Sequence, residues 1–85
     1  MNVTLDTTPV QLDLSDYTDT GKAGQLLLLE NLGAGDVYFD RMDDVDESTG
    51  VKMAQDGNYE FAIEKVADLW FMSDTTADLR FTVVG

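Results

Sequence analysis

QLLLLENLGAGDVYFDR, residues Gln25 to Arg41, is the stretch on which the reading of this chain turns. Its first arm holds the consecutive leucines Leu26 to Leu29, and its second alternates Val37 and Phe39 with Tyr38 and Asp40. Between the arms, Asn31-Leu32-Gly33-Ala34-Gly35-Asp36 supplies glycines free to take φ > 0, with an Asn and an Asp suited to turn hydrogen bonds. Two apolar runs joined by a short Gly-containing loop predict a β-hairpin. A helix from Gln25 is the rival, since Leu is a good helix former. That helix would have to stop at Gly33 after about two turns, and adjacent leucines make no amphipathic stripe. The hairpin is the better reading. Its leucines point to both faces of a strand, so the arm should be covered on both sides. One cover is the core; the other is a neighbouring loop or a second subunit.

Outward from this stretch the chain keeps to a period of two. Asn2 to Thr7 reads as a short strand with Val3 and Leu5 on one face, and Pro9 then breaks the run. Val10, Leu12 and Leu14 alternate with polar neighbours, and residues 16–24 form a polar loop around Tyr17. After Arg41 comes the acidic run MDDVDESTG, and Val51 to Ala54 is long enough for a strand. Gln55-Asp56-Gly57-Asn58 is a turn signal, followed by the alternation of Tyr59, Phe61 and Ile63. Leu69-Trp70-Phe71-Met72 is apolar on both faces, like the leucine arm; Ser73 to Thr76 turns the chain, and Leu79, Phe81 and Val83 alternate to the end. Seven or eight short strands at turn spacings of about 8–12 residues predict a small antiparallel β-sandwich or barrel, one all-β domain over residues 1–85.

Composition narrows the function. Seventeen acidic residues against five basic ones give a formal net charge of −12. Such a surface repels phosphate backbones and anionic membranes, so neither nucleic acid nor membrane is an expected partner. With no Cys and no His, disulfides and the usual transition-metal sites are excluded. The start of the chain shows no basic and apolar leader pattern, and no apolar run approaches the ~18 residues needed to span a bilayer. Eighty-five residues lie near the lower limit for folding without cross-links, so either the core is efficient or self-association adds to it.

Catalytic readings are poor. Without His there is no ordinary base near neutral pH, and without Cys the easiest nucleophile is gone. Ser15, Ser48 and Ser73 sit in turn-like contexts with no evident base beside them. No catalytic residue, and no cofactor, is assigned. In the acidic run, Asp44, Asp46 and Ser48 place oxygen ligands at alternate positions, like the start of an EF-hand loop. Thr49 and Gln55 occupy the places where that loop needs Gly and Glu, so the EF-hand pattern fails. A looser calcium or magnesium site at Asp44, Asp46 and Ser48 is the metal candidate, set against a plain surface loop. Trp70, Phe71, Tyr59 and Phe61 admit a carbohydrate-stacking platform, although aromatics alternating along strands more often fill a core. The outward faces of the doubly apolar strands fit subunit contact better than a ligand, with Leu27, Leu29, Trp70 and Met72 the candidates for self-association.

The run Leu29-Glu30-Asn31-Leu32-Gly33-Ala34-Gly35-Asp36-Val37-Tyr38-Phe39 resembles a pattern in small β-sandwich proteins of tailed-bacteriophage virions. The resemblance continues through Gly50-Val51-Lys52-Met53, Tyr59-Glu60-Phe61, Trp70–Ser73 and Asp78–Phe81, covering roughly residues 25–84 in short, degenerate motifs. The first 24 residues match no such pattern, the turn before Tyr59 departs from it, and the loop 42–49 is longer than a minimal connection. The resemblance implies a non-catalytic structural protein of the virion, made in the host cytoplasm. A capsid decoration or stabilising role, commonly trimeric, comes first, with a tail or fibre component as the alternative. Implied partners are further copies of the chain and the major capsid protein or other virion proteins.

Overall fold

Eight β-strands make up the structure, a computed structural model that describes residues 2–12, 26–62 and 69–84. They are β1 (Asn2–Leu5), β2 (Val10–Gln11), β3 (Leu26–Ala34), β4 (Val37–Asp40), β5 (Val51–Met53), β6 (Asn58–Ala62), β7 (Trp70–Ser73) and β8 (Ala77–Val84). Every strand pairing is antiparallel. One four-stranded sheet runs β1-β8-β3-β6 and the other β2-β7-β4-β5. Among the described residues there is no helix, and so none long and apolar enough to cross a membrane. The fold class is the expected one, a small all-β sandwich.

The two sheet orders run in step. β1 and β2, β8 and β7, β3 and β4, β6 and β5 hold matching places in their sheets, and each pair is joined by a turn that crosses between the layers. All these crossings lie at one end. Leu5 at the end of β1 and Ala34 at the end of β3 both pair with Ala77 at the start of β8. In the other sheet Val37 at the start of β4 pairs with Met53 and Ser73, the last residues of β5 and β7. The sandwich is a row of four arches.

This topology overturns the hairpin expected for Gln25–Arg41. Its two arms are indeed strands, but β3 and β4 lie in different sheets and do not pair. Both flanks of β3 are already occupied, by β8 on one side and β6 on the other, so no free edge is left for β4. A register shift between Asn31 and Gly33 and a φ of +94° at Gly33 then turn the chain out of the first sheet. The same glycines that would close a hairpin close an arch.

Leu27 and Leu29 face inward and are fully buried with Phe39, Phe71, Leu79 and Phe81 between the layers. Each such side chain contributes about 1.5–3 kcal/mol by leaving water. Phe39 sits near the centre, tilted against Phe71 at 5.6 Å and edge-on to Phe61 at 5.5 Å, geometries that aromatic quadrupoles favour. The opposite face of β3 is less protected than expected: Leu26 is half-buried and Leu28 remains 38% exposed. The doubly apolar strand β7 does have its second cover, described below. β2 is shorter than the predicted run, although Leu12 is buried. Leu14, the loop 16–24 and Ile63 fall outside the described residues.

Candidate functional site

Polar chemistry concentrates at the arch end. Asn31 is fully buried, and its side-chain nitrogen donates to the carbonyls of Gly35 at 3.0 Å and Met53 at 2.9 Å. Its side-chain oxygen accepts from the Gly33 amide at 2.8 Å. Its backbone reaches the neighbouring arch: the Asn31 amide donates to Gly57 O at 3.0 Å, and the Asp56 amide donates to Asn31 O at 2.7 Å. On the other side, the Gly35 amide donates to Thr76 O at 2.8 Å, and the Ser73 hydroxyl donates to Asp36 O at 2.8 Å. The Ser73 amide donates to Asp6 O at 2.7 Å, bringing in the β1–β2 turn. Each turn is bonded to the next, in the order of the strands.

Ser73 is thereby a structural hydroxyl, buried and engaged with backbone, not a nucleophile facing a cleft. Asp74 takes the Asp36 amide at 3.1 Å through its carboxylate, and Asp36 in turn lies 3.4 Å from the Lys52 ammonium. No buried side-chain nitrogen or oxygen is left without a partner among the described residues. The end is a saturated clasp.

At the opposite end the acidic run folds back over the second sheet. Val45 is buried against Tyr38 and Met72, with Trp70 packed at the margin. This is the second cover that the apolar run Leu69–Met72 requires, and it comes from the chain itself. Burial pushes the Tyr38 phenol above its ordinary 10.0, partly offset by the nearby Lys52. Asp46, next to Val45, closes the loop. Its carboxylate accepts from the Ser48 amide at 2.8 Å, the Ser48 hydroxyl at 2.7 Å and the Thr49 amide at 3.0 Å. The Ser48 hydroxyl foremost, then the amides, hold the Asp46 carboxyl below its ordinary 3.8. The metal candidate Asp44, Asp46 and Ser48 is thus turned on itself: the Ser48 hydroxyl donates to Asp46 instead of offering a ligand oxygen beside it. No group of three or more acidic side chains converges to hold a cation among the described residues.

The candidates for self-association are mostly consumed within the single chain. Leu27 and Leu29 are fully buried between the sheets, and Met72 is buried beneath Val45, while Trp70 keeps partial exposure. The period-two pattern identified the leucine strand but assigned the wrong pair to the outside; Leu26 and Leu28 face outward. The carbohydrate platform is not assembled either. Phe71 is in the core, and Trp70 lies on the outer face of its sheet. Tyr59 and Phe61 stack on each other at 6.1 Å on the inner face of the other sheet.

Two surface features escaped the sequence reading. The first is a depression of about 350 Å³ on the outer face of the first sheet, with Leu28 at its floor and Glu30, Glu60, Arg80 and Thr82 around it. Arg80 stands 3.6 Å from Glu30 across it, an exposed pair worth ~0–1 kcal/mol. The second is the side of the sandwich formed by β5 and β6. Val51 and Tyr59, both facing inward from edge strands, are 49% and 38% exposed and flank Phe39. Only the position of these strands at the edge, which local pattern does not encode, leaves them uncovered.

Comparisons of the chain with protein-family models, with curated proteins and with solved structures give no significant match. The fold and the surfaces above are therefore what bears on function.

Proposed function

We propose that this chain is a non-catalytic structural protein of a tailed-bacteriophage virion, one that decorates or stabilises the capsid as a homotrimer. The observation that carries the reading is the contrast between interior and exterior. Among the described residues every buried side-chain nitrogen and oxygen has a hydrogen-bond partner, whereas large apolar side chains, Leu28, Val51 and Tyr59 among them, stay exposed on a chain of net charge −12. Exposed apolar side chains on an otherwise highly charged domain suit docking to other subunits. The motif resemblance over residues 25–84 supplies the virion context. A decoration protein acts by adding contact across joints between capsid subunits, so that many weak contacts hold together.

Co-sedimentation with purified capsids tests the role, and light scattering at micromolar concentration tests the trimer. A monomer by scattering overturns the trimer; absence from capsid pellets together with presence on tails transfers the role to a tail or fibre component. Binding to glycans that is lost on replacing Trp70 or Tyr59 would instead make the chain a carbohydrate-binding module.

A further inference from the structure

Among the described residues four strands lie at sheet edges, and β6 is the longest of them, five residues against four in β1, two in β2 and three in β5. Sheet edges are templates for foreign strands, and proteins blunt them with short length, Pro, Lys or bulges. β2 is cut short directly after Pro9, and β5 carries Lys52 at its middle. β6 contains neither Pro nor Lys, its one charged residue is Glu60, and its register with β3 is unbroken from Asn58 to Ala62. Its two aromatic residues face inward, Tyr59 opposite Leu29 and Phe61 opposite Leu27, while Glu60 opposite Leu28 faces out. Among the described residues no strand lies beyond that edge. Tyr59 lies edge-on to Phe39 at 5.2 Å, Val51 is the register partner of Phe39 on β5, and both keep a large exposed fraction.

We propose that the free edge of β6 receives an extended segment of a different protein as a fifth strand of the first sheet, with apolar side chains alternating with Lys or Arg. Side chains of such a strand point alternately to the two faces. The apolar set would continue the inner layer over Phe61 and over Tyr59 and Val51, adding cover to these two partly exposed side chains. The basic set would lie beside Glu60 on the outer face, where opposite charges across neighbouring strands stabilise and like charges destabilise. Charge selects the occupant. A second copy docked edge to edge would bring Glu60 against Glu60 and one net charge of −12 against another, whereas a basic segment gains from both. Main-chain hydrogen bonds supply affinity and the alternate side chains supply specificity. The inference concerns the edge itself and holds whether or not the partner belongs to a virion.

The test uses the full chain and synthetic peptides: an eight-residue peptide alternating Val with Lys and Thr, the same peptide with Glu for Lys, and a basic peptide of identical composition with its valines in one block. Amide shifts are followed by NMR at 0.15 M salt. The expected result is saturable binding of the alternating basic peptide, with shifts concentrated in residues 58–62 and 51–53. Affinity should exceed that for the acidic peptide by about tenfold, and Glu60→Lys, an exposed change that preserves the fold, should narrow that ratio by about threefold. The proposal is overturned if the blocked peptide binds as well as the alternating one, if shifts map to the outer face around Leu28, or if Glu60→Lys leaves the ratio unchanged. Shifts at 58–62 that grow with protein concentration alone would show a second copy on the edge, and that too overturns it.

Discussion

The side-chain amide of Asn31 donates to the carbonyl oxygen of Met53 at 2.9 Å, tying the end of β3 in one sheet to the end of β5 in the other. The same amide group holds Gly35 O, and the side-chain oxygen holds the Gly33 amide. One residue thus closes its own arch and fastens the next. Asn31→Ala removes a side-chain partner from two carbonyls and one amide, one of these bonds buried and two partly buried, and should cost about 3 kcal/mol, given ~1–3 kcal/mol for an unsatisfied buried group. Asn31→Asp keeps the shape but removes the donors, so it should be about as damaging. Urea unfolding measures both, and a loss below about 1 kcal/mol in either would remove Asn31 from its assigned role.

Close approach at the neighbouring joint gives a second expectation. A β-carbon on Gly35 would stand 2.7 Å from both the Asp74 carboxylate oxygen and the Ser73 hydroxyl oxygen. Both oxygens are engaged in bonds that join the β3–β4 and β7–β8 turns, so they cannot withdraw without breaking them. Gly35→Ala should destabilise by about 1–3 kcal/mol, the usual cost of overpacking. Thermal unfolding of this variant at a wild-type midpoint would show that the turns separate freely.

How much of this was legible in the residues differs from element to element. The alternation of Leu79, Phe81 and Val83 and of Val37 and Phe39 marks buried strand faces, and those faces are where it puts them. The Asp56-Gly57 turn is equally plain, with Asp56 at a φ of 67°. What β3 pairs with is not legible in the same way. A tight Gly-containing turn serves a hairpin and an arch alike, and the choice is made by distant strands, with Leu29 flanked by Phe81 and Tyr59. Four identical leucines likewise give no residue-type difference by which to tell inside from outside. Asn31 carried a usable signal: a lone amide in an apolar strand, just before two glycines, has backbone groups of a turn to satisfy.

Val45 is the sole apolar residue that the acidic loop presses onto the second sheet, against Tyr38 and Met72. Val45→Ala removes two methyl groups from that contact and should cost about 1.5 kcal/mol at ~0.8 kcal/mol per group. Trp70 borders the cluster and is the only tryptophan of the chain, so its fluorescence reports the cover directly. Emission should shift to the red in Val45→Ala under native conditions. An unchanged spectrum with unchanged stability would mean that the loop does not shield this face.

Acid should act on the same loop through Asp46. Its folded pKa lies below the ordinary 3.8, chiefly because the Ser48 hydroxyl donates to the carboxylate. A depressed folded pKa stabilises the folded state at pH above the unfolded value, and that contribution disappears as pH falls through the folded one. The difference in loop order between wild type and Asp46→Ala should therefore be present above about pH 4 and vanish on further acidification. Amide exchange of Ser48 and Thr49 reads it. Equal exchange in the two proteins at neutral pH would remove the carboxylate from the loop's closure.

Leu27 and Leu28 are chemically identical neighbours that the fold sends to opposite sides, the first fully buried and the second 38% exposed. Leu27→Ala empties space between Phe61 and Val83, its register partners, and should cost about 2–5 kcal/mol as core leucines do. Leu28→Glu sits on the outer face opposite Glu60, where a like charge across the strand pair costs about 0.2–1 kcal/mol, so its midpoint should fall far less than that of Leu27→Ala. Its consequence belongs to assembly instead. If the outward face of β3 carries the trimer, Leu28→Glu places like charges at a contact between acidic subunits and should leave monomers at concentrations where wild type scatters as a trimer. Paired unfolding and light-scattering measurements separate the two roles, since a stable Leu28→Glu trimer would move the subunit contact off this sheet, and an undiminished Leu27→Ala would reverse the assignment of faces.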